Sequence, residues 1–291
     1  MPAAASSSVS VSAARGVPGP QASPGGAGHR GPLGAVSSFV AVGDSFTEGM
    51  SDAYAGGGFR GWADLLADRL AVANPGLRYA NLAVRGKLIR QIAADQVGPA
   101  AGFGADLVTL AGGLNDVLRP RCDVAAVCGV LEESAAALAG SGGRLVLFRS
   151  TDPTRRLTSS ARLMPRIEQL VGFVDDLGER HGATVIDLFT ARVFDDPRLW
   201  DADRLHLSAE GHRRVTDAVC EALGLPYDPD WRVPLPAADP AGWWERRRSD
   251  ARWARVHLGP WLGRRITGRS SGDGRPPKRA ELAVWEPAAE V

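Results

Sequence analysis

From Ser37 to about Leu223, short apolar runs alternate with longer stretches of helical periodicity. Phe39-Val40-Ala41-Val42 is the first run, and it ends in Gly43-Asp44-Ser45, the pattern of a buried strand opening into a loop. Trp62, Leu65, Leu66, Arg69 and Leu70 then fall at helical spacing, closed by Asn74-Pro75-Gly76. A second strand, Arg78 to Leu82, precedes a helix through Ile89, Ile92 and Val97. A third strand, Asp106 to Ala111, leads to an Ala- and Leu-rich helix from Val124 to about Leu138. Arg144 to Phe148 is the fourth strand, with a helix from about Ala161 to Arg180 behind it. Thr184 to Leu188 is the fifth, and a last helix runs from about Ala209 to Leu223, with Ser208 as its N-cap and Glu210 in its first turn.

Short apolar strands separated by helices pair in parallel and are covered on both faces, and right-handed crossovers make the result a three-layer α/β sandwich. In such sheets ligands collect beyond the carboxyl ends of the strands. The polar motifs of this chain lie there or in a late loop.

Outside this region the texture changes. Residues 1–34 are Ala, Ser, Gly and Pro almost throughout, without aromatic residues, and read as a disordered arm with too little apolar surface to offset its ordering entropy. The arm lacks the basic start and apolar run of a secretory signal, and no later run has the length of a membrane span. A cytoplasmic location is the expectation. Residues 35–226 are expected to form the main domain, 227–267 a Trp- and Arg-rich helical extension and 268–291 a flexible tail. The C-terminal part holds six of the eight tryptophans, and between Gly242 and Ala280 eleven Lys or Arg face three Asp or Glu. That stretch reads as a helical extension packing its tryptophans onto the main domain with arginines outward. The rival reading is contact with an anionic membrane surface or nucleic acid.

The formal net charge of the whole chain is +1, so no general attraction to nucleic acid is expected, and the oligomeric state is not readable. Cys122, Cys128 and Cys220 make neither a disulfide framework nor a zinc set, and Cys122 and Cys128 are expected as free thiols. No His and carboxylate cluster has metal-ligand spacing, and neither metal nor cofactor is expected.

Ser45, directly after the first strand, needs a base, an orienter for that base and donors for an oxyanion. Each has a candidate. Gly86, after the second strand, offers an unobstructed backbone N–H, and Asn115, after the third, offers a side-chain amide. Asp203 and His206, before the last helix, are spaced so that one turn presents both on the same side. His212 is the rival base, but it sits inside the helix and has no aspartate three residues earlier. His29, His181 and His257 lack a plausible catalytic partner nearby in sequence. Asp44 and Asp116 are expected to accept hydrogen bonds from loop amides. Arg85 and Arg119 are possible substrate contacts, with solvated loop arginines as the alternative.

These four segments, Gly43-Asp44-Ser45, Asn81 to Gly86, Gly113-Leu114-Asn115-Asp116 and Asp203 to His206, resemble in order the four signature blocks of the SGNH/GDSL hydrolase family. The resemblance covers about Ser37 to Leu223. It implies an α/β/α sandwich on a flavodoxin-like five-stranded parallel sheet. It also implies Ser45 as nucleophile, His206 as base, Asp203 as its partner, and an oxyanion hole of the Ser45 and Gly86 N–H groups with Asn115. The implied activity is hydrolysis of carboxylic esters, whether lipid, acetylated sugar or small acyl ester, through an acyl-enzyme. Acyl transfer by the same site is one alternative. Another is a non-catalytic surface-binding protein acting through the basic tail, with peripheral membrane contact there. The serine is early and outside a Gly-x-Ser-x-Gly elbow, which argues against the α/β-hydrolase fold.

Overall fold

In β1 (Ser38–Val42) all five residues are buried, yet they serve two different cores. Phe39 and Ala41 face one cluster, Val40 and Val42 the other, as the two-residue period of a strand requires. The computed structural model describes residues 36–154, 158–237, 242–259 and 270–287. The arm at 1–34 lies outside them, as do Trp261 and both ends of the 268–291 tail.

Beside β1 run β2 (Arg78–Asn81) and β3 (Leu107–Leu110), then β4 (Arg144–Arg149) and β5 (Thr184–Asp187), all parallel. Their order is 2-1-3-4-5, the doubly wound order of flavodoxin-like sheets. On one face α2 (Gly61–Ala73) and α8 (Ala209–Leu223) bury Trp62, Leu66, Leu70, Val215 and Val219 against β1. On the other, α3 (Ile89–Ile92), α6 (Val124–Gly140) and α7 (Met164–His181) supply Ile89, Ile92, Leu131, Ile167 and Leu170. Ser208 caps α8 as its sequence indicates, accepting the Gly211 N–H at 3.3 Å. Three very short helices complete this region: α1 (Ser45–Glu48), α4 (Gly98–Gly102) and α5 (Leu114–Val117).

Two expectations need correction. The helix anticipated through Val97 is α3 followed by a π turn, Ala93–Val97, that leads into α4. That extra residue per turn carries Gln96 inward, where it is buried. The sheet, moreover, has six strands. Residues 279–284, assigned by composition to a flexible tail, form β6 (Arg279–Val284), antiparallel to β2 on its open edge. An edge strand with mostly exposed side chains shows no apolar run for periodicity to detect. It is secured just beyond its end by Trp285, buried edge-on against Tyr79 at 5.1 Å, whose indole N–H donates to Asp68 at 2.8 Å. The basic extension contains a helix, α9 (Trp243–Trp253).

The chain before β6 is equally fixed. Lys278 donates to the Phe59 and Arg60 carbonyls at 3.0 and 2.7 Å and pairs with Asp64 at 2.8 Å. The turn at 270–273 lies so close to the segment after β2 that a Cβ on Gly272 would stand 2.0 Å from the Arg85 carbonyl oxygen. No described helix is long and apolar enough to cross a membrane. All three cysteines are free thiols.

Two stability predictions follow from this packing. Gly272→Ala must push the 270–273 turn away from backbone that cannot yield, and a loss of roughly 1–3 kcal/mol is expected in urea unfolding. The second concerns His212, which is buried between α2 and α8. Its Nδ1 accepts the Trp62 N–H at 3.3 Å and its Nε2–H donates to the Met50 carbonyl at 3.0 Å. Burial pushes its pKa down to about 4, against the Met50 carbonyl and Asp52, which favour the cation. Between about pH 6.5 and 4 the unfolded chain therefore takes up a proton that the native state refuses, and stability falls as pH falls. Removing this group by His212→Gln should flatten that decline by about 3 kcal/mol relative to the parent. Asp44, raised to about 6, acts in the opposite sense, but it is common to both proteins and cancels in the difference. Equal slopes in parent and variant would refute the assignment.

Candidate active site

The carboxyl end of β1 passes into Gly43, whose peptide groups are held by one side chain. Gln96 accepts the Gly43 N–H at 2.8 Å and donates to the Gly43 carbonyl at 2.9 Å. Asp44 then caps α1, accepting the Phe46 N–H at 3.0 Å, and Ser45 is the first residue of that turn, half-buried. The turn closes as the Gly49 and Met50 N–H groups donate to the Ser45 carbonyl.

Asp203 and His206 lie in a loop folded on itself before α8. The Asp201 N–H donates to the His206 carbonyl and the Arg204 N–H to the Asp201 carbonyl, both at 2.9 Å. Arg204 takes a φ of +60° to complete the turn. Asp203 Oδ1 accepts the N–H groups of Leu205 and His206, at 2.8 and 2.9 Å, while Oδ2 lies 2.6 Å from His206 Nδ1. Burial alone would raise this carboxyl, but the hydrogen bond and charge of His206 and the two amides outweigh it and hold it at about 2. Asp203 is thus ionised at neutral pH and fixes the proton of His206 on Nδ1. Nε2, the face available for proton transfer, makes no hydrogen bond to Ser45 or to any other described residue. Ser51 donates to Asp201 at 2.9 Å and ties this loop to the one that follows α1.

Asn115, in α5, reaches across from the end of β3. Its amide nitrogen donates to Asp44 Oδ2 at 2.9 Å and to the Lys87 carbonyl at 3.2 Å. The charge of His206 also acts on Asp44, so Asp44, Asn115 and His206 share one neighbourhood. Burial is the main reason that the Asp44 carboxyl rises to about 6, opposed by the Phe46 amide and His206 and reinforced by Asp116 and Glu48. Asp116 accepts the Ile89 N–H at 3.0 Å, the structural role expected of it.

Gly86 occupies the left-handed region at φ +73°, and a Cβ there would lie 2.2 Å from the Ser270 hydroxyl. Its loop is bound to α1 through Glu48, which accepts the Arg85 N–H at 2.6 Å and pairs with the Arg85 guanidinium. The same guanidinium lies 4.8 Å over the Phe59 ring. The charge of Arg85 is thus already partnered, by Glu48 and the Phe59 ring. Arg119 is exposed.

Glu48, Gln96, Trp253 and Ser270 also belong to this neighbourhood. Only Glu48 carried a signal, as the acid three residues after Ser45. No described group of three or more His, Cys, Asp or Glu is arranged to hold a metal ion.

The model of the GDSL-like lipase/acylhydrolase family matches residues 41–214, a span that includes both Ser45 and His206. Several solved structures share the fold. LAE5, described as an alpha/beta hydrolase enzyme from the metagenome of Lake Arreo, Spain, is 26% identical, with a TM-score of 0.54 over 65% of this chain and 96% of its own. The acetylxylan esterase Axe2 from Geobacillus stearothermophilus is 17% identical, with a TM-score of 0.55 over 68% of this chain and 99% of its own. TesA is 21% identical, with a TM-score of 0.54 over 64% of this chain and 97% of its own. No curated protein matches the sequence. With well over half of its length matched, the chain belongs to the GDSL-like lipase/acylhydrolase family and is an ester-hydrolysing serine hydrolase.

Proposed function

We propose that the chain hydrolyses carboxylic esters with Ser45 as nucleophile, His206 as general base and Asp203 as the carboxylate that orients it. The observation that carries this reading is the Asp203–His206 pair. A carboxylate kept ionised by three N–H donors stabilises the imidazolium that forms when the serine proton is taken. In the reaction, Ser45 Oγ bonds to the acyl carbon as its proton passes to His206 Nε2, and the carbonyl π bond opens to an oxyanion. Collapse of that intermediate expels the alcohol, which takes the proton from His206. Water then repeats the sequence on the acyl-enzyme and releases the acid.

The N–H groups of Ser45 and Gly86 and the amide of Asn115 are the proposed oxyanion donors. Both hydrogens of Asn115 have acceptors, and the bond to the Lys87 carbonyl is the longer. That hydrogen is the one to be shared with an oxyanion, while the bond to Asp44 keeps the amide in place. The substrate class is esters of lipids, sugars or small acyl groups. An acetylated sugar falls within it, and acetylxylan is what the Geobacillus enzyme of this fold is named for.

Ser45→Ala should lose activity on short p-nitrophenyl esters by at least a thousandfold, and parent-like turnover by that protein would rule out the nucleophile assignment. Asn115→Ala should still fold, with some loss of stability because Asp44 loses a donor, and should lose roughly a hundredfold in kcat, the usual weight of one oxyanion donor. A change confined to KM would instead assign Asn115 to substrate binding.

A further inference from the structure

The Asp203–His206 loop is not held by the main domain alone. The indole N–H of Trp253, at the end of α9, donates to the main-chain carbonyl of Asp203 at 2.8 Å. The guanidinium of Arg204 lies 5.1 Å over the Trp253 ring and pairs with Asp250, one helical turn earlier, at 2.7 Å. Three contacts from one helix thus converge on two consecutive residues. Arg204 is also one of two non-glycine residues described with a positive φ, so the loop is bent where a side chain opposes the bend. α9 lies beyond residues 41–214, the part matched by the family.

We infer that Trp253 is a positioning residue for the hydrolase reaction, reaching in from the C-terminal extension to fix the Asp203 peptide and through it the aim of His206. The inference rests on the proposed roles of Asp203 and His206. The physical reason is short. The Asp203 carboxyl carbon is three bonds from the residue's main-chain carbonyl carbon, and its two oxygens are shared among three N–H donors whose geometry depends on the loop's turn. Rotation of the 203–204 peptide tilts that carboxylate and the imidazole with it, and misplacement of a catalytic group by a fraction of an ångström already slows proton transfer. The indole N–H blocks that rotation from outside the loop. Arg204, clamped between ring and carboxylate, keeps the helix in register with the turn.

The test compares full-length Trp253→Phe, Arg204→Asn and Asp203→Asn with the parent. Turnover of p-nitrophenyl acetate is measured beside active-site titration with a fluorophosphonate and the thermal midpoint. Phe keeps a ring under Arg204 but removes the donor, and Asn tolerates the positive φ but releases the clamp. Trp253→Phe should lower kcat per titrated site about five- to tenfold, with KM within about twofold, the effect of one lost hydrogen bond expressed in the transition state. Arg204→Asn should move kcat in the same direction. If Asp203→Asn is inactive while Trp253→Phe keeps the parent kcat, the inference about Trp253 fails and the catalytic pair stands. If Asp203→Asn retains full activity, both fail. A loss in Trp253→Phe matched by an equal loss of titratable sites also overturns the inference, because it reports unfolding alone. Should Trp253→Phe be recovered unfolded, Arg204→Asn decides: lowered kcat per site supports the positioning role, and unchanged kcat refutes it.

Discussion

A buried carboxylate joins the parts of this site. Asp44 leaves the end of the central strand and binds the Phe46 amide of α1 with one oxygen and the Asn115 side chain with the other, within reach of the charge of His206. Burial, more than any neighbouring charge, pushes its pKa up to about 6, because its position solvates charge poorly. Such a group is tolerated only where its hydrogen bonds are made, and making them fixes the loops after β1 and β3 relative to one another. The cost of burying the charge is what makes the geometry specific.

The sheet supplies the rest of the convergence. Parallel strands bring every crossover loop to the same edge, so residues separated by 70 positions, Ser45 and Asn115, can act on one neighbourhood without any long connection. Side-chain bonds then remove the remaining freedom. Gln96 pairs with both groups of the Gly43 peptide, as a neighbouring strand would, and Glu48 draws the Gly86 loop onto α1. Asn81 extends the same logic, donating to the Thr47 carbonyl and to the Tyr79 hydroxyl at 2.9 Å each. The short helix bearing Ser45 is thus braced from β2, from the π turn and from α5.

How much of this was legible before the structure depended on how local the signal was. β1 and β3 are buried throughout and β2 and β4 nearly so, so their apolar runs stand out, and the motifs of Ser45, Gly86 and Asn115 follow three of them closely. Gln96 was not legible because its inward aim depends on a π turn, a departure from the period by which helices are recognised. β6 was missed because one side of it faces solvent and its neighbours Gly272, Gly274, Pro276 and Pro277 suggest a linker. The partner of Arg85 was not legible for a related reason: Glu48 lies 37 residues away, and composition offers no way to pair the two. The reading of the tryptophans as packing groups fits Trp231 and Trp285, both buried, whereas Trp244 is exposed.

The C-terminal extension meets the site region from two sides. α9 holds the loop of Asp203, and the 270–273 turn rests on Gly86, where the space a side chain would need is filled by Ser270. In the proposed mechanism these are the base side and the oxyanion side of one reaction centre. A hydrolase whose proposed nucleophile sits on a four-residue turn gains little rigidity from that turn itself, since a single helical turn is marginal without tertiary contacts. Rigidity has to come from elements packed around it, and here several of them lie after residue 226. The lysine that anchors the 270–284 segment donates to two main-chain carbonyls and pairs with Asp64, three acceptors on the chain from Phe59 to α2. The same segment carries Ser270, so the contact that anchors it at Lys278 also places the wall beside Gly86.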